Sequence, residues 1–85
     1  MIYTVIWRPE AEDDLARLWN KATDRRAVAR AADSFEAAVR RNPSDVGESI
    51  GEPSRIEFVD PLGFVFDVFP DDCKVLVKSV WRNRP

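Results

Sequence analysis

Apolar positions recur along this chain with two different periods, and each period predicts a different element. Residues 2–7, from Ile2 to Trp7, are β-branched or aromatic with apolar side chains on both faces, which predicts a strand covered on both sides rather than an exposed edge. Arg8-Pro9 ends it, because proline forces extended geometry on the residue before it and fits the first turn of a helix. Ala11, Leu15, Leu18, Trp19 and Ala22 then recur at helical spacing and form one apolar stripe. Thr23-Asp24 supplies a break and a new N-cap, after which Val28, Ala31, Ala32, Phe35, Ala38 and Val39 form a second stripe that stops at Asn42-Pro43. Two amphipathic helices joined by a short turn make a hairpin, and the sheet is the surface against which both stripes are buried.

Residues 43–53 are rich in turn formers and poor in apolar side chains, so they are expected to form a loop. A loop of that length in a compact domain often borders a functional surface. Three strands follow, over residues 55–60, 64–69 and 74–82, separated by Pro61-Leu62-Gly63 and Pro70-Asp71-Asp72. Connections this short make the three strands antiparallel neighbours. Simple alternation in the last strand puts Val75, Val77, Ser79 and Trp81 on one face and Leu76, Lys78, Val80 and Arg82 on the other. The expectation is an α+β domain over residues 1–85, ordered strand-helix-helix-strand-strand-strand. Its sheet is small and mainly antiparallel, with the helical hairpin packed on one face.

Composition narrows the chemistry. The 85 residues include no histidine and a single cysteine, Cys73, so a zinc finger, a Cys/His nucleophile pair and a Ser/His/Asp triad are excluded. Any catalysis has to run on Arg, Lys, Asp, Glu, Ser or Tyr, and no metal or cofactor is expected. Thirteen basic and fifteen acidic side chains leave a formal charge of −2, which argues against a wholly basic nucleic-acid footprint. Glu10, Glu12, Asp13 and Asp14 read as acids placed at a helix N-terminus, not as a metal site. The arginines of the second helix, Arg25, Arg26, Arg30, Arg40 and Arg41, are interleaved with Asp33 and Glu36 and read as a solvated surface. With no signal-like leader and no apolar run of membrane length, the expected location is the cytoplasm, without membrane contact.

Several stretches together carry a family resemblance: Tyr3 through Leu15 with its Pro9-Glu10-Ala11 junction, the helix end at Asn42-Pro43, Gly51 followed by Arg55, Gly63-Phe64-Val65-Phe66-Asp67-Val68, and Val77-Lys78-Ser79-Val80-Trp81-Arg82. In this order and over essentially the whole length, the sequence resembles the RelE/ParE toxin superfamily of bacterial toxin-antitoxin modules. The resemblance implies a toxin held by a cognate antitoxin. Its target is either messenger RNA on the ribosome, cleaved without a metal by basic side chains on the sheet, or DNA gyrase, which some members poison without nuclease chemistry.

Carried over by position, Arg55 and Arg82 are the implied catalytic residues, contacting phosphate or stabilising transition-state charge. Lys78, Arg84 and Trp81 are the implied substrate-binding residues, with Lys78 expected on the same strand face as Arg82. The plain alternatives are a cross-strand ion pair of Arg55 with Glu57 or Asp67, a solvated terminus for Arg82 and Arg84, and a packed aromatic for Trp81. The sequence departs from nuclease members at Val65, where an arginine is typical, and at Trp81, where a polar residue is common. Ending at Pro85, it is also expected to lack the extension in which some members hold a catalytic tyrosine. The remaining alternatives are an inactive, antitoxin-bound family member and an unrelated small α+β interaction domain.

Overall fold

The structure, a computed structural model, describes residues 2–83. Its elements are β1 (Thr4–Trp7), α1 (Pro9–Lys21), α2 (Arg25–Arg41), β2 (Glu48–Gly51), β3 (Ser54–Val59), β4 (Leu62–Phe69) and β5 (Lys74–Arg82), with 3-10 turns at Pro43–Asp45 and Pro70–Asp72. The strands form one sheet in the order β1-β5-β4-β3-β2, with β1 parallel to β5 and every other neighbouring pair antiparallel. The predicted α+β architecture and the β3-β4-β5 meander are both present.

Local chemistry sets the helices. Pro9 opens α1, and Asp24 caps α2 by accepting the Ala27 amide at 3.1 Å. The α2 stripe buries Val28, Ala31, Ala32, Phe35 and Val39, whereas Ala38 stays exposed. In the α1 stripe only Ala11 is buried outright, and Trp19 lies at the surface with the Arg25 guanidinium 4.7 Å above its ring. Phe35 stacks face to face on Phe64 with centroids 4.0 Å apart and meets Phe66 edge-on, while Trp7 meets Phe64 from the other side. Both helices therefore pack on the sheet face that carries Phe64, Phe66, Val75 and Val77. Among the described residues, no helix packs on the other face.

Three expectations need correction. Strand β1 is an edge strand, not an interior one. Its apolar residues on both sides arise because Val5 and Trp7 turn to the core while Ile6, 43% exposed, joins an uncovered face that is itself apolar. Residues 43–53 are not simply a loop, since β2 pairs there with β3 as the opposite edge. All four β2 residues are exposed, so no alternation marks the strand in the sequence. Finally, β5 does not alternate strictly. Val65 pairs with Ser79 and Phe66 with Val77, which leaves Lys78 as the extra residue of a β-bulge and flips the strand's faces beyond it.

Candidate functional site

The uncovered face can be read from the strand register, because directly opposed residues project to the same side of a sheet. Leu62, Phe64, Phe66 and Val68 of β4 point to the core, so Gly63, Val65, Asp67 and Phe69 point outward. Their partners are Phe58, Ile56 and Ser54 on β3, and Trp81, Ser79, Leu76 and Lys74 on β5. Phe58 and Phe69 are 51% and 37% exposed, and with Ile56, Val65, Leu76 and Ile6 they give the open face a largely apolar character. Lys74 and Ser79 add polar groups on its β5 side, and a polar cluster lies near its centre. Asp67, only 8% exposed, accepts the Ser54 hydroxyl at 2.5 Å and lies 3.6 Å from Lys78 Nζ.

The structure does not bring the residues expected for catalysis together on this face. Arg55 is opposite the core residue Phe66 and therefore projects to the helix side. There its Nε donates to the Val46 carbonyl at 2.9 Å and its Nη2 to the Gly47 carbonyl at 3.0 Å. The side chain thus holds the segment entering β2, and it pairs with neither Glu57 nor Asp67. Gly47 makes that close passage possible: its φ is +65°, and a Cβ there would collide with the Ile56 carbonyl oxygen.

Arg82 lies opposite the core residue Leu62, also on the helix side, because the bulge at Lys78 changes the parity of β5. Lys78 and Arg82 consequently do not share a face. Lys78 is on the open face, but its charge is offset by Asp67. Trp81 is on the open face as well, where its ring lies across Gly63 and meets Phe58 edge-on at 6.1 Å. Arg84 lies outside the described residues. Sequence reasoning missed the Ser54-Asp67-Lys78 cluster as a unit. Its signal was the single carboxylate inside an otherwise apolar strand, Phe64 to Phe69.

Similarity to solved structures is consistent with this architecture. A chain of the RelBE2 toxin-antitoxin complex from Mycobacterium tuberculosis is similar over 96% of this chain and 92% of its own, with a TM-score of 0.79 and 18% identity. A free mutant of the toxin RelE from E. coli gives a TM-score of 0.70 at 17% identity, covering 96% of this chain and 84% of that one. A chain of the chromosomal ParDE system from P. aeruginosa gives 0.67 at 14% identity, covering 98% of each. No protein-family model matches the sequence, and no curated protein matches it. The fold is therefore that of the RelE/ParE toxins. No helix among the described residues is long and apolar enough to cross a membrane.

Proposed function

We propose that this chain is the toxin component of a toxin-antitoxin pair and that it acts by binding a protein rather than by cleaving RNA. The toxin assignment rests on fold similarity to RelE and ParE chains, several of them from toxin-antitoxin complexes. A cognate antitoxin is accordingly its expected partner.

The single observation that carries the mechanistic choice is the largely apolar open face, whose central cation is paired with a carboxylate. Metal-free cleavage beside a 2′-hydroxyl needs preorganised cations around the phosphate. Here the cation set into the middle of the face is matched by a nearly buried carboxylate, which repels phosphate. Arg55, one of the two implied catalytic arginines, faces the other way and is occupied with two carbonyls. What the face does offer is apolar surface rimmed by polar groups, the composition that suits a protein contact. This makes the gyrase-poison mode of the family the better fit, with the open face meeting the cellular target. One observation favours the ribonuclease reading: Arg82 is exposed and makes no ion pair among the described residues.

Tightly induced expression in a bacterial host, with transcript ends mapped before and after induction, tests the proposal. Growth arrest with intact transcripts is the expected result. Arrest accompanied by new cuts in translated messages would overturn the protein-binding mechanism, and unimpaired growth with soluble protein would overturn the toxin assignment.

A further inference from the structure

Trp81 and Phe58 form an aromatic corner at one end of the open face. A Cβ placed on Gly63 would lie 2.6 Å from Cε2 and Cζ2 of Trp81 and 2.9 Å from its Nε1. Near-equal distances to three neighbouring ring atoms mean that the indole lies face-on over the glycine, so one ring face rests on the sheet and the other points away from it. Phe58, 51% exposed, stands at 83° to that ring with the centroids 6.1 Å apart. The Trp81 indole N–H makes no hydrogen bond among the described residues, and no buried side-chain nitrogen among them lacks a partner, so this donor reaches solvent. The other indoles differ: Trp7 Nε1 donates to Glu36 at 2.9 Å, and the Trp19 ring is capped by Arg25.

Charge limits what can occupy the corner. Gly63 lies between Phe58 and Trp81, and the adjoining row is Ile56, Val65 and Ser79, none of them charged. Of the charges bordering these rows, Lys78 is paired with Asp67, and Glu48, across Ile56 on the edge strand, is negative. Arg82, the next residue, projects to the helix side. A stacked nucleobase would bring its phosphate to rows without an unpaired cation, so the complement is an uncharged protein segment. Because the indole N–H is a donor, that segment has to supply an acceptor. A helix has its carbonyls bonded internally, and a strand pairs at a sheet edge, whereas β4 is flanked on both sides. Polyproline II has no internal hydrogen bonds, leaves its carbonyls exposed, and docks in aromatic-lined grooves.

We propose that the Trp81–Phe58 corner docks an uncharged, proline-containing protein segment in the polyproline II conformation. One proline ring stacks on the outward face of Trp81 against Phe58, and a backbone carbonyl of the segment accepts from Trp81 Nε1. Ile56 and Val65, both half-buried, continue the apolar surface beneath the segment. The assignment rests on the open face being a protein contact, and it names the chemistry which that contact recognises.

The test titrates the full chain, 15N-labelled, with acetyl-hexaproline-amide, with an alanine-glycine peptide of the same length, and with hexauridylate. The proline peptide is expected to shift the Trp81 Nε1–H signal and the amides of Phe58 and Gly63 saturably, and to leave the Trp7 and Trp19 indole signals in place. Trp81→Phe, which keeps a ring and loses the donor, is expected to bind it at least about threefold more weakly, followed at Gly63. Phe58→Ala, a change at an exposed position, should weaken it by a similar factor, and spectral dispersion reports whether each variant has kept its fold. No saturable shift, an equal response to the alanine-glycine peptide, or undiminished binding by either folded variant would each overturn the proposal. Absent peptide binding in a chain that still arrests growth with intact transcripts would overturn it alone and leave the protein-contact reading standing. Hexauridylate binding at the same signals, tighter than the proline peptide, would overturn both.

Discussion

Asp67 and Lys78 face each other in the middle of the open sheet, 3.6 Å apart, and the second oxygen of Asp67 takes the Ser54 hydroxyl. The carboxylate is nearly buried, whereas the Lys78 side chain keeps 30% of its exposure. The two partners therefore contribute unequally. Removing the carboxylate strands a hydroxyl and an ammonium group beside apolar neighbours, while removing the ammonium leaves Asp67 still hydrogen-bonded.

Asp67→Ala should lower stability by about 1–3 kcal/mol, the usual cost of leaving buried polar partners unsatisfied. Lys78→Ala should cost less than about 1 kcal/mol, as expected for a partly solvated ion pair. Urea unfolding monitored by tryptophan fluorescence measures both. Equal losses in the two variants would show that the pair, and not the carboxylate's burial, carries the energy.

Arg55→Ala should destabilise the segment entering β2, because two charge-assisted bonds to the Val46 and Gly47 carbonyls disappear. The expected loss is about 1.5–3 kcal/mol. Hydrogen exchange should show protection falling first in residues 46–51, and Arg55→Lys should recover only part of it, since an ammonium group cannot reproduce the fork. Unchanged protection there would remove Arg55's structural role.

Gly63 is the point where the Trp81 ring crosses β4: an added Cβ would lie 2.6 Å from two ring carbons. Gly63→Ala should displace the indole, change the near-ultraviolet circular dichroism and cost about 1–3 kcal/mol through overpacking. In a double-mutant cycle, Trp81→Ala should relieve most of that cost. A Gly63→Ala protein with unaltered aromatic signals would contradict the close crossing.

Phe35 sits between Phe64 and Phe66 and is 1% exposed. Phe35→Ala should cost about 3–5 kcal/mol, a large share of the roughly 4–13 kcal/mol that about 0.05–0.15 kcal/mol per residue gives a domain of 85 residues. The variant should unfold at a much lower urea concentration than the wild type, with reduced amide dispersion. A well-dispersed spectrum with a small midpoint shift would contradict Phe35 as the keystone of the helix-sheet contact.

The same residues show what the sequence makes legible. The Phe35 stripe and the Asp24 cap are local patterns, and α2 follows from them directly. The continuous apolar run of β4 identifies a central strand for a similar reason. Strand β2 is invisible because every one of its residues is exposed and it lies among turn formers. The faces of β5 are misread because alternation assumes an unbroken ladder. The only trace of the bulge is the three-residue step from Val77 to Val80, both of them core residues. Arg55 and Arg82 can be recognised as candidates by position, but their orientation depends on register and on that bulge, which long-range pairing decides. The open face was misjudged at Ile6 for a related reason: an apolar residue in a strand does not say whether its own chain or a partner covers it.

The most direct test of the account is growth of a bacterial host during tightly induced expression of the wild-type chain, Phe58→Glu and Lys78→Ala, with soluble, folded protein confirmed for each. If the open face works by apolar protein contact, the wild type and Lys78→Ala should arrest growth, and Phe58→Glu, altered at a side chain that is 51% exposed, should not. Arrest that survives Phe58→Glu but is lost in Lys78→Ala would contradict the account, because the charge on the face would then be acting and its apolar surface would not.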